Sequence, residues 1–168
     1  MSNLLAVTQD PWGQVNWVRI RQYSVNGDLM MEQRVRNNRT DMGALWEANT
    51  LFGTVADGTI GCIGLTGTIC TPTGTVTAML GEIATFGFSR IAATRQNYVA
   101  PTALNGTFAI DIYNQFLHTG TGTAVGIGMA GLFNKTAAGT MYAFATFTQG
   151  AATLNLGERL DVTWTVSS

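Results

Sequence analysis

Apolar and polar positions alternate most clearly at the end of the chain. Over residues 160–166, Leu160, Val162, Trp164 and Val166 share one parity, and Asp161, Thr163 and Thr165 share the other. That period of two predicts a half-buried strand. The stretch GTFAIDIYNQF repeats the pattern, with Phe108, Ile110 and Ile112 on one face and Asp111 and Tyr113 opposite. FGFSRIAATRQNYV alternates through Phe86, Phe88, Arg90 and Ala92. Residues 141–148 form a short aromatic and β-branched run, and TIGCIGL is a short apolar run between glycines. Both suit single strands. GAATLNLGE, with Gly150, Asn155 and Gly157, reads as a turn-rich connection, and the glycine-heavy tract at 120–128 as a flexible approach to a strand.

The first third of the chain reads differently. VNWVRIRQYSV is strand-like, but apolar residues fall on both parities with arginines among them. The Asn26-Gly27 pair predicts a hairpin between residues 14–25 and 29–36. A lone two-stranded hairpin is marginal in water, so it is expected to lie on the main domain or on a neighbouring subunit. Residues 41–51 predict a short helix with Asp41 as N-cap and Ala44, Leu45, Ala48 and Leu51 on one face, with an irregular loop as the alternative. TGTICTPTGTVTAM, with Pro72, reads as a surface loop or edge strand.

Six to eight short strands between Gly, Thr and Asn turns, without regular alternation of strands and long helices, predict a mainly β fold. The expected architecture is an antiparallel β-sandwich, jelly-roll-like, with an N-terminal arm. Residues 1–55 form the expected arm or assembly region, and residues 56–168 the sandwich.

Composition sharpens this picture. Of 168 residues, 46% are hydrophobic and only 11% charged, against roughly a quarter charged in ordinary soluble domains. A surface so poor in charge predicts cover by other subunits. A net charge of −1 gives no bulk attraction to nucleic acid or to an anionic membrane. Five of the nine basic residues, Arg19, Arg21, Arg34, Arg36 and Arg39, precede residue 40, close to Trp12 and Trp17. Arg and Trp concentrate at the energetic centres of protein interfaces. These seven residues are therefore the expected partner-binding set, in preference to a nucleic-acid site, because Asp28, Glu32 and Asp41 are interspersed among them.

Little points to chemistry. The single histidine, His118, excludes a multi-histidine zinc site and is expected at the surface or in a turn. No G-x-S-x-G elbow occurs, and Ser89 is flanked wrongly for one. Cys62 and Cys70 are expected to be free buried thiols, with pairing across a hairpin as the alternative. The ten carboxylates are scattered and read as turn or outward positions, among them Asp57, Glu82 and Glu158. That argues against the paired acids of a glycosidase. The 120–128 tract lacks the Gly-Lys-Ser/Thr ending of a P-loop. No catalytic residue, cofactor or metal is expected. Neither a signal peptide nor an apolar run long enough to span a membrane is apparent.

Several stretches taken together resemble small virion structural proteins of tailed bacteriophages. They are NLLAVTQDPWGQVNWVRIRQYSV, GEIATFGFSRIAATRQNY, AGLFNKTAAGTMYAFATFT and LNLGERLDVTWTV. The features that carry the resemblance are Gly81-Glu82-Ile83, Arg90, Gly131-Leu132-Phe133, Phe144 with Phe147, and Val162-Thr163-Trp164-Thr165. The resemblance implies a noncatalytic virion component made in the host cytoplasm. The leading expectation is a capsid decoration (cement) or head-fibre-base protein that stabilises the shell. A tail or tail-fibre adaptor or adhesin is the alternative, and a polysaccharide depolymerase a distant third. The expected partners are major capsid or tail proteins and further copies of the chain, a trimer among the symmetries considered, with no nucleic acid and no membrane.

Overall fold

In the computed structural model, residues 17–39, 60–69, 79–99, 109–121 and 123–167 are described. The expected helix at 41–51 and the tract at 70–78 lie outside them. The described residues form twelve strands and no helix: β1 (Trp17–Tyr23), β2 (Leu29–Arg36), β3 (Asn38–Arg39), β4 (Cys62–Thr66), β5 (Ile91–Ala92), β6 (Thr94–Val99), β7 (Ala109–Leu117), β8 (Val125–Ile127), β9 (Met129–Phe133), β10 (Met141–Thr146), β11 (Ala152–Leu154) and β12 (Arg159–Ser167). The fold is mainly β, and every strand pairing is antiparallel.

The first sheet has the order β2-β1-β12-β7-β6. The terminal strand β12 lies at its centre, between β1 and β7. Its alternation falls as the sequence predicts: Leu160, Val162 and Trp164 are fully buried, while Asp161, Thr163 and Thr165 face outward at intermediate exposure. Val18 and Ile20 from β1, Val35 from β2, and Ile112 and Phe116 from β7 join the same core.

The second sheet, β3-β10-β9-β4-β5, supplies the opposite wall of that core through Ile63, Leu65, Ala130, Leu132, Ala143 and Ala145. Ile127 from β8, with Ala152 and Leu154 from β11, adds a two-stranded ribbon to the same cluster. Two antiparallel sheets thus enclose one apolar core, a sandwich-like arrangement.

The second sheet is buried on its outer side as well. Cys62, Met129, Phe133, Met141 and Phe144 form a separate cluster there with Met79. Gly64 and Gly131 are directly opposed in β4 and β9. A Cβ at Gly64 would sit 2.6 Å from Glu82 Oε1, and one at Gly131 2.8 Å from the Met79 sulfur. The glycine pair therefore lets residues 79–90 lie close against the sheet. The cover is fastened by the Thr66 hydroxyl, which donates to the Leu80 carbonyl at 2.8 Å, and by Ile83 N–H donating to the Leu65 carbonyl at 2.8 Å. Arg90 forms a two-pronged ion pair with Glu82, its Nε 2.7 Å from Oε1 and its Nη2 on Oε2. Its guanidinium lies 3.4 Å from the centre of the Phe133 ring and also donates to the Ala138 carbonyl at 2.6 Å.

The hairpin expected between residues 14–25 and 29–36 forms as β1 and β2, and of the two places expected for it the main domain holds: β1 pairs with β12 along seven residues. The reason is its second parity, Val18, Ile20 and Val35, which completes the core. The other parts of residues 1–55, at 1–16 and 40–55, lie outside the described residues. Among the described residues, the consecutive strands β1/β2, β6/β7 and β9/β10 pair within one sheet. The alternation through Phe86 and Phe88 is not a strand. Phe86 and Gly87 both take positive φ, at 58° and 87°, which turns the chain there. The connection at 150–158 contains β11, and the tract at 120–128 contains β8.

Candidate binding face

The outward side of the first sheet carries the charge. Register places its side chains in three rows across the strands. Arg36, Trp17, Thr165 and Asp111 make the first, Arg34, Arg19, Thr163 and Tyr113 the second, and Glu32, Arg21, Asp161 and Gln115 the third. Five of the seven expected partner-binding residues, Trp17, Arg19, Arg21, Arg34 and Arg36, thus meet on one face. The odd parity of β1 and the even parity of β2 both point outward, because their other parities fill the core. Arg39 lies on β3 in the second sheet, paired along the backbone with Ala143, and its side chain is outside the description. Trp12 lies outside the described residues.

One end of this face is internally neutralised. Arg21 Nε donates to Glu32 Oε2 at 2.8 Å, and this bond holds the guanidinium more firmly protonated than usual. Arg159 lies 3.0 Å from Asp161 Oδ1 and stacks 4.1 Å from the Tyr23 ring centre. Burial, together with the neighbouring Asp161 carboxylate, pushes the Tyr113 phenol up. The other end keeps its charge. Arg19 Nε is 3.6 Å from Glu32 Oε1, beyond hydrogen-bonding distance, and Arg34 has no ion pair or hydrogen bond among the described residues. Arg36 sits 5.4 Å from the Trp17 ring centre, a cation–π distance, and Trp17 remains 37% exposed.

A groove of about 270 Å³ opens at this second end, with Trp17, Arg19 and Arg34 on one side and Asn97 and Asp111 on the other. Thr163 and Thr165 form its floor. Asp111 is fixed there: Thr165 Oγ1 donates to its Oδ1 and Asn97 Nδ2 to its Oδ2, both at 2.7 Å. Asn97 sits where the β6–β7 register slips, in the left-handed conformation with φ 53°. Bulges of this kind re-aim side chains and gather at functional sites. Asp111 and Asn97 were absent from the expected set. The outward parity of Asp111 was the signal available for it, whereas the slip that aims Asn97 has no counterpart in residue pattern.

The remaining singled-out residues are structural. His118 is buried, 1% exposed, between Phe86 and Phe88 at ring distances of 5.8 and 5.5 Å, which corrects its expected surface position. The close of the 84–88 turn onto β7 encloses it: Thr119 N–H donates to the Phe86 carbonyl at 3.0 Å. Glu158, expected in an exposed turn, is 7% exposed. It accepts hydrogen bonds from Gln22 Nε2 at 3.0 Å, Asn155 N–H at 2.9 Å and Asn155 Nδ2 at 3.1 Å. Burial alone would raise its carboxyl; these donors and the nearby His118 outweigh it and hold the group below its ordinary value. Cys62 is a buried free thiol, pushed up by burial against a partial opposing pull from Arg90. Cys70 lies outside the described residues. Among the described residues, no group of three or more His, Cys, Asp or Glu is placed to hold a metal, and no helix is long and apolar enough to cross a membrane.

Comparison with protein-family models, with curated proteins and with solved structures returns no match for this chain.

Proposed function

We propose that this chain is a noncatalytic structural protein of a tailed-bacteriophage virion, which attaches to other virion proteins through the outward face of its first sheet. The observation that supports this most is the gathering of Trp17, Arg19, Arg21, Arg34 and Arg36 on one face of a chain that is only 11% charged. Such a chain places five of its nine basic residues, Arg19, Arg21, Arg34, Arg36 and Arg159, on one face of a single sheet, where Arg and Trp serve as interface anchors. In its leading form the subunit is a capsid decoration or cement protein, repeated symmetrically over the shell. Copy number separates this form from its rival. Densitometry of purified virions should find on the order of hundreds of copies per particle for a decoration protein, and a mere handful would rule that form out.

The groove favours a second reading, a tail adaptor or adhesin. A walled recess with fixed donors and an acceptor suits a small ligand better than a flat subunit contact. Under that reading the protein is confined to the tail, and virions stripped of tails lose it entirely.

A further inference from the structure

We infer that the groove between Trp17 and Asp111 binds one carboxylated sugar residue of the uronic-acid type. The inference goes beyond the virion reading, since it concerns what the recess holds wherever in a particle the chain sits.

The recess combines three recognition chemistries. The first is a pair of guanidiniums. Arg19 and Arg34 are cross-strand neighbours, and Glu32, 3.6 Å from Arg19, is hydrogen-bonded to Arg21 at 2.8 Å. Two like charges side by side are mutually unfavourable unless an anion joins them, and guanidiniums match carboxylate geometry in two-pronged bonds. The second is a fixed acceptor. Thr165 and Asn97 each take one oxygen of Asp111 at 2.7 Å. Each oxygen retains a further acceptor position, which suits ligand hydroxyls. The third is an apolar wall, the half-exposed ring of Trp17, on which the C–H face of a pyranose can rest.

The combination discriminates among ligands. A DNA backbone phosphate offers charge without hydroxyl donors and would meet Asp111 across the groove. A neutral sugar would leave Arg34 without an anion and Arg19 with only its 3.6 Å contact to Glu32. An acidic protein side chain would satisfy the arginines but not Asp111 or the Trp17 wall. A uronic acid satisfies all three. The volume of about 270 Å³ lies just under the range typical of drug-sized ligands, which is suited to a single ring. The strained Asn97 on the β6 bulge fits the same account, since it holds Asp111 in place before any ligand arrives.

The test uses the purified full-length chain, titrated with methyl β-D-glucuronoside, methyl β-D-glucoside and N-acetyl-aspartate amide while the Trp17 indole resonance and binding heat are recorded. The glucuronoside is expected to shift the indole and to bind at least about tenfold more tightly than either other probe. R34A should lose at least about tenfold in glucuronoside affinity with an unchanged melting curve. D111N should weaken it while leaving the melting curve close to that of the native chain, because Asn retains an acceptor for Thr165. Equal binding of the aspartate probe would assign the groove to a protein carboxylate and overturn the proposal. So would equal binding of the glucoside, an unmoved Trp17 signal, or R34A that is folded and binds as before. None of these results bears on copy number in the virion, so the two proposals fail separately.

Discussion

The two sheets share one core but treat their outer sides in opposite ways. Among the described residues, the outer side of the first sheet is half-buried to exposed and lined with arginines, threonines and carboxylates in register. The second covers its outer side with Met79 and the 79–90 segment, and among the described residues the Glu82–Arg90 pair there is stacked on Phe133. In both places arginines meet carboxylates, yet the consequences differ. Arg90 has every prong engaged and a side chain only 8% exposed, so it is part of the scaffold. Arg34 is exposed and unengaged among the described residues, so its charge remains for a partner. A charged side chain on a sheet is thus read by what its partners leave over.

This contrast can be broken most forcefully at the cover. R90A strips the Glu82 carboxylate of its cation and uncovers Phe133, and it should cost about 3–5 kcal/mol, as removal of one member of a buried pair does. Urea unfolding is the measurement, and a loss under about 1 kcal/mol would mean that the cover adds little to the second sheet.

A smaller effect should come from Glu158, the buried carboxylate in the turn before β12, which is held by amide donors where Glu82 has a cation. Its folded-state carboxyl is more acidic than the ordinary 4.5. Protonation therefore favours the unfolded chain. The contribution is complete at neutral pH, above the unfolded value, and declines as pH falls through 4.5 toward the lower folded value. E158Q turns an acceptor into a donor facing Asn155 or Gln22 and should cost about 1–3 kcal/mol at pH 7. The gap between the melting curves of the two proteins should begin to narrow as the pH falls through 4.5 and close only below the folded value; a constant gap would show that the carboxylate charge is not what stabilises this turn.

The smallest effect on stability belongs to the open face. R34A should change the unfolding free energy by no more than about 0.5 kcal/mol, as exposed positions usually do, and R19A, at a half-buried site ion-paired with Glu32, by no more than about 1 kcal/mol. A larger loss would make these arginines part of the scaffold and erase the contrast between the sheets.

The same contrast explains what could be read from residue order. Strands of the first sheet alternate because one side is wet, so β12 and β7 are visible as patterns, and Asp111 and Tyr113 are assigned to the outward side. The second sheet is buried on both sides. Cys62–Thr66 and Met129–Phe133 therefore show as short apolar runs without a facing, and the opposed glycines Gly64 and Gly131 give no hint that a cover lies over them. Phe86, Phe88 and Arg90 alternate by coincidence within that cover, whose turns at Phe86 and Gly87 defeat the pattern. His118, at the end of a predicted strand, and Glu158, just after Gly157, read as surface or turn positions, but tertiary closure around them buries both. The basic face was legible in its residues but not in its place. The arginines of β1 and β2 were visible as a cluster, whereas only the pairing of β1 with β12 shows that they stand on the main sheet and confront Asp111 from β7.

The central claim is that this protein works through the outward face of its first sheet. Hydroxyl-radical footprinting of the chain on intact virions, compared with the free chain, tests it most directly. The account predicts protection at Trp17, Tyr23 and Tyr113, with Leu80, Phe86 and Ile91 on the other side of the molecule oxidised as in the free chain. Protection of Leu80, Phe86 and Ile91 with Trp17 unprotected would contradict it.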